Sequence, residues 1–103
     1  MTYRQLILAA GLLIFALPLH AAQDPDGEGL VKTWGCRSCH RIGNFGGSLA
    51  NDLSHVGQRL NPIDIRLKLH PLPGQNKGAL MPTYPEMPDD EVRILSDYLS
   101  KLK

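Results

Sequence analysis

The chain has 103 residues, with eleven basic and ten acidic side chains and only two cysteines. A formal net charge of +1 gives no electrostatic footprint for nucleic acid or for an anionic membrane surface. Two cysteines cannot supply the disulfide framework on which many chains this small depend, so a metal or cofactor is expected to help build the core.

The first predicted element is a leader. Arg4 and the amino terminus are positive, and residues 6–19 form an apolar run of 14 broken only by Gly11 and Pro18. Small Ala21 and Ala22 follow, then polar Gln23 and Asp24. This is the order of a secretory signal peptide, so residues 1–22 are expected to be removed, with cleavage after Ala21 or Ala22. The two cuts leave Leu19 or His20 at the third position back, neither of them a small residue. A spanning helix needs ~20 apolar residues, so the mature form is expected to have no membrane span, an uncleaved anchor being the alternative. No cysteine follows the run, so no lipid attachment is expected. The mature domain, 23–103, is then periplasmic, with ten basic and ten acidic residues and Trp34, Phe45, Tyr84 and Tyr98 as its aromatics.

Within that domain, "PDGEGLVKTWGC" (25–36) predicts a short helix, with Leu30 and Val31 placed at helical spacing from Trp34. Gly27 and Gly29 weaken it locally. "GNFGG" (43–47) predicts a glycine-rich turn. In "LNPIDIRLKLHPLPG", Asn61 is a cap and Pro62 the first helical residue. Ile63, Leu67 and His70, with Ile65 and Leu69 alongside, suggest two helical turns that Pro71 stops. The proline-rich stretch from 71 to 88 cannot be helix or central strand, and a loop of that length in a small domain points to a segment that wraps something. Pro88 opens the clearest helix. Asp89, Asp90 and Glu91 complement its positive end, Lys101 and Lys103 its negative end, and Val92, Leu95, Tyr98, Leu99 and Leu102 form one apolar stripe. No alternating strand pattern is visible, and the fold class reads as all-α, three to four short helices joined by long loops.

The chemistry concentrates in "GCRSCHRIG" (35–43), where both cysteines, Cys36 and Cys39, stand directly before His40. Three chemistries compete. A thioredoxin-like redox pair needs a βαβ context, and no strands are predicted to build it. A structural zinc ion needs two further ligands, and His55 and His70, 15 residues apart, do not match a finger. Covalent haem attachment uses all three residues: each thiol adds to one vinyl group, and the next residue falls beneath the iron as its proximal ligand. This third chemistry suits a secreted chain, since the thiols are consumed as thioethers. It also explains how so short a chain folds, with the macrocycle as core. Candidates for the second axial position are Met81, Met87, His55 and His70. Met81 is favoured, because it sits in the proline-braced loop about 40 residues after His40, able to cross the far haem face. Met87 abuts the terminal helix, where a hydrophobic staple accounts for it. His55 and His70 read as a surface residue and a helix-end cation.

These residues, taken together from Gly27 to Leu102, resemble the small bacterial monohaem class I cytochromes c. Gly27, Leu30 and Val31 before "CRSCH", Leu53 and Arg59 in "ANDLSHVGQR", "MPTY" (81–84) and "LSDYL" (95–99) follow the family pattern. The resemblance implies a cytochrome c-like fold around one covalently bound haem c. It also implies Met81 as the sulfur ligand, Arg59 as a haem-propionate contact, and a crossing of Leu95 and Tyr98 over Gly27 and Val31. The chain departs from the pattern at Asn51, where the family has a proline whose carbonyl accepts the proximal histidine N–H. It also lacks a tryptophan that some members carry after the arginine.

The implied function is periplasmic electron transfer, with transient redox partner proteins, no catalysis of its own, no nucleic acid and no membrane span. A haem subunit of a periplasmic oxidoreductase is the alternative. A third is a haem peroxidase or gas sensor with a labile Met81.

Overall fold

Among the described residues there are three helices: α1 (Gly27–Thr33), α2 (Pro62–Leu69) and α3 (Asp89–Ser100). The computed structural model describes residues 26–103, together with Gly11, Leu13 and Ile14. Those three apart, the expected leader and its cleavage after Ala21 or Ala22 lie outside the described residues. No helix among the described residues is long and apolar enough to cross a membrane.

Each helix begins where a local signal stands. The Asp26 carboxylate accepts the Gly29 N–H at 2.6 Å and caps α1. Asn61 and Asp64 form a reciprocal capping box at α2: Asn61 Oδ1 accepts the Asp64 N–H at 2.9 Å, and Asp64 Oδ2 accepts the Asn61 N–H at 3.0 Å. Pro88 is the N-cap of α3, with Asp89, Asp90 and Glu91 in its first turn. At the other end, Lys101 is the C-cap and no basic residue lies within the last turn. Met87 before the cap and Val92 in the next turn are both buried in one cluster, the arrangement of a hydrophobic staple.

α3 packs against both α1 and α2. Leu30 and Val31 of α1, Ile65 and Leu69 of α2, and Val92, Leu95 and Leu99 of α3 meet in one core, joined by Ile42, Val56 and Met87. The crossing of α1 and α3 rests on Gly27: a Cβ there would overlap Tyr98 Cβ. The buried face of α2 differs from the expected one. Ile63 is exposed and Leu67 only half-buried, whereas Ile65 and Leu69 are inside.

The fold is mostly helical, with one addition. A small antiparallel hairpin joins β1 (Arg41–Ile42) to β2 (Phe45–Gly46), pairing Arg41 with Gly46 and Ile42 with Phe45. Strands of two residues are too short to show alternation, which is why no strand pattern appears in the sequence. Single 3₁₀ turns occupy Cys36–Ser38 and Val56–Gln58. The proline-rich stretch from 71 to 88 contains neither helix nor strand and reverses through left-handed Gly74, Asn76 and Gly78.

Candidate functional site

Gly35, left-handed at φ 68°, breaks the chain out of α1 and into the Cys36–Ser38 turn. Ser38 N–H bonds the Gly35 carbonyl at 3.0 Å, and the N–H groups of Cys39 and His40 both bond the Cys36 carbonyl, at 3.4 and 3.1 Å. Both cysteines and the histidine therefore stand on one turn. The thiols are free and half-buried. Burial pushes the Cys36 thiol up, a backbone hydrogen bond and the Arg37 charge offsetting only part of it. A thiol held neutral is a poor partner for disulfide exchange. Among the described residues no three His, Cys, Asp or Glu side chains gather to hold a metal ion.

The hairpin and the segment after it hold this turn from outside. Gly47 N–H bonds the Arg37 carbonyl at 2.8 Å, Ala50 N–H the Cys39 carbonyl at 3.0 Å, and Leu53 N–H the Arg41 carbonyl at 2.8 Å. Gly46 lies so close that a Cβ would overlap the His40 carbonyl. This return path brings the Asn51 carbonyl to 2.7 Å from His40 Nδ1. A carbonyl only accepts, so Nδ1 carries the hydrogen, which in a neutral ring leaves the lone pair on Nε2. The carbonyl acceptor expected at position 51 is thus in place with asparagine there. Next to it, Asp52 Oδ1 accepts the Ser54 N–H at 2.8 Å, and Ser54 Oγ accepts the Gly43 N–H at 2.8 Å. Hydrogen bonds from the Ser54 side chain and backbone hold the Asp52 carboxyl below its ordinary value.

The second side of the site comes from the proline-rich stretch. Tyr84 N–H bonds the Leu69 carbonyl at 3.1 Å, and the His70 ring donates from Nε2 to the Tyr84 carbonyl at 2.7 Å. The Tyr84 ring meets Trp34 edge to face, centroids 5.9 Å apart. Its hydroxyl is pushed up by burial first and then by the charge of Cys36 and Cys39. Trp34 Nε1 donates to Glu91 at 3.3 Å and ties the end of α1 to α3.

The remaining predicted residues divide clearly. Met81 is half-buried and packs against the core that includes Cys36 at its margin. Met87 is 2 % exposed and belongs to the core itself. His55 is exposed. His70 spends Nε2 on the Tyr84 carbonyl. Arg59 is exposed, and it lines an open cleft of about 470 Å³ with Lys101 and Lys103. The donors present fit a covalently held haem: two thiols and an imidazole on one turn, and a thioether half-buried at the margin of the same core.

The polar partners of Tyr84 and His70 were not legible in the sequence. The one signal was His70 standing between the last apolar residue of α2 and Pro71. No protein-family model, curated protein or solved structure matches the chain.

Proposed function

We propose that the chain is a small periplasmic electron carrier of the class I cytochrome c kind, with a cytochrome c-like fold. One haem would be attached through Cys36 and Cys39, with His40 and Met81 as axial ligands and Arg59 as a propionate contact. The bound haem supplies an iron that changes valence by one electron. The chain's own residues do the rest. Cys36 and Cys39 would each add S–H across a vinyl double bond, sulfur to one carbon and hydrogen to the other, with no oxidant required. His40 offers Nε2. Met81 would offer a soft sulfur that favours the reduced state, and burial of the iron in an apolar shell would favour the less charged centre in the same direction. With both axial positions filled by protein, substrate has no open site and catalysis is not expected. Partners would dock weakly and briefly, as redox partners with small interfaces do.

The observation that carries this reading is the 2.7 Å contact between His40 Nδ1 and the Asn51 carbonyl. It fixes the tautomer that an axial imidazole needs, on the residue directly after the two thiols. The test is maturation in a periplasm equipped for haem attachment. Acid–acetone extraction should leave the colour with the protein, and the mass should exceed the apo chain by one haem. Colour that extracts, or full haem retention in Cys36→Ala, would overturn attachment.

A further inference from the structure

The loop that carries Met81 touches the core through Met81 and Tyr84, whose ring meets Trp34, while its seam with the end of α2 stays open. Leu72 and Leu80 are exposed, and the seam between the end of α2 and the loop is an open cleft of about 250 Å³ lined by Leu69, His70, Pro71, Thr83 and Pro85. Apolar packing does not close that seam. Hydrogen bonds within the loop, Gln75 N–H to Leu72 and Ala79 N–H to Asn76, only shape it. Among the described residues, the hydrogen bonds that join 71–86 to α2 both end on Tyr84: its N–H to the Leu69 carbonyl and its carbonyl to the His70 ring. Tyr84 is three residues after Met81. The His70 side chain is three-quarters buried, and its Nδ1 stands 3.6 Å from the Asp89 carboxylate, too far for a hydrogen bond and largely exposed to solvent.

We infer that His70 is a positioning residue for Met81, its Nε2–H clamping the Tyr84 carbonyl so that the thioether stays against the iron. This rests on the axial role proposed for Met81. His70 lowers the rate at which the loop opens and the sulfur leaves. Losing a hydrogen bond of this kind should shift the opening equilibrium roughly three- to tenfold, which is about 0.7–1.4 kcal/mol.

The test compares three haem-loaded proteins: wild type, His70→Phe and His70→Gln. Phenylalanine keeps a planar ring without the donor. Glutamine carries an N–H donor the same number of bonds from Cα as Nε2. Should His70→Phe fail to mature, His70→Ser, too short to reach Tyr84, takes its place. Two rates are read. Tryptic cleavage after Lys77 reports loop opening without regard to the iron, and carbon monoxide binding to the reduced protein reports loss of the sulfur. Both should rise about three- to tenfold in His70→Phe and return towards wild type in His70→Gln. The ferric far-red band of sulfur ligation should weaken in the same order. If neither rate changes, the clamp does not exist. If cleavage rises while the band and carbon monoxide binding stay put, the clamp does not act on the ligand, and the inference is overturned. A wild-type protein lacking the band sinks the axial role of Met81, and this inference with it, whatever the cleavage rates.

Discussion

Two methionines six residues apart are given different work by their burial. Met81 is half-buried at the margin of the core, and Met87 is 2 % exposed inside it. On the proposed axial role, Met81→Ala should abolish the far-red band, lower the reduction potential and open the reduced iron to carbon monoxide, with little loss of fold. The sign of the potential change follows from removing the soft ligand that favours Fe(II). Met87→Ala should keep the band and instead cost about 2–5 kcal/mol in denaturant unfolding, because it leaves a cavity among Val92, Leu95 and their neighbours. The reverse pattern would move the ligand to Met87. At the same scale, Asp52 sets a pH dependence. Its carboxyl is held below the ordinary value by Ser54, so the folded state favours the carboxylate. That contribution is present above the unfolded carboxyl pKa and is lost as the pH falls through the folded one. Asp52→Asn should be less stable than wild type at neutral pH, and the gap in thermal midpoint should close in acid. A gap that is constant with pH would show that the turn beside Asn51 does not depend on this charge.

Helix contacts here depend on where side chains are missing as much as on where they are present. α1 is only seven residues long, too short to be stable alone, and it holds its place because Gly27 lets Tyr98 of α3 come down onto its backbone. Gly27→Ala should destabilise by about 3 kcal/mol, at the upper end of overpacking costs, since the overlap is with a side-chain root that cannot swing aside. The double variant Gly27→Ala with Tyr98→Ala should show no rescue, because alanine retains the Cβ that clashes. Recovery of the chemical-denaturation midpoint in that double variant would place the strain in the ring instead. The consequence reaches the site: α1 leads directly through Trp34 and Gly35 into the cysteine turn, and Trp34 is fixed by Glu91 of α3 and by the Tyr84 ring.

At the scale of the molecule, one core of ten buried apolar side chains serves 26–103, while Phe45, Leu49, Leu72 and Leu80 stay outside it. Phe45 and Leu49 lie on the segment bonded to the cysteine turn, and Leu80 adjoins Met81. Apolar groups left open around the candidate site are what a chain that folds around a large apolar cofactor would carry. A core this small offsets chain entropy poorly by itself. Cys36→Ala with Cys39→Ala should yield a secreted chain that is largely unfolded by circular dichroism. A cooperative thermal transition near the holo midpoint in that variant would refute dependence on haem.

What the sequence determined alone is local. The Asn61–Pro62 and Pro88 helix starts, the stop at Pro71, and the placing of Cys36, Cys39 and His40 on one turn all rest on interactions within about four residues, and the chain order contains both partners. The tertiary structure decided the rest. An eight-residue helix rich in apolar positions does not define a face, so only packing against α3 selected Ile65 and Leu69 over Ile63 and Leu67. The hairpin after His40 exists because Gly46 and Gly47 can lie on the backbone of the cysteine turn, a contact invisible in a two-residue strand. His40 meets a carbonyl 11 residues on and His70 one 14 residues on. A backbone carbonyl has no residue identity to recognise, so those two bonds, which set the imidazole and hold the methionine loop, could be fixed only by the path along which the folded chain returns.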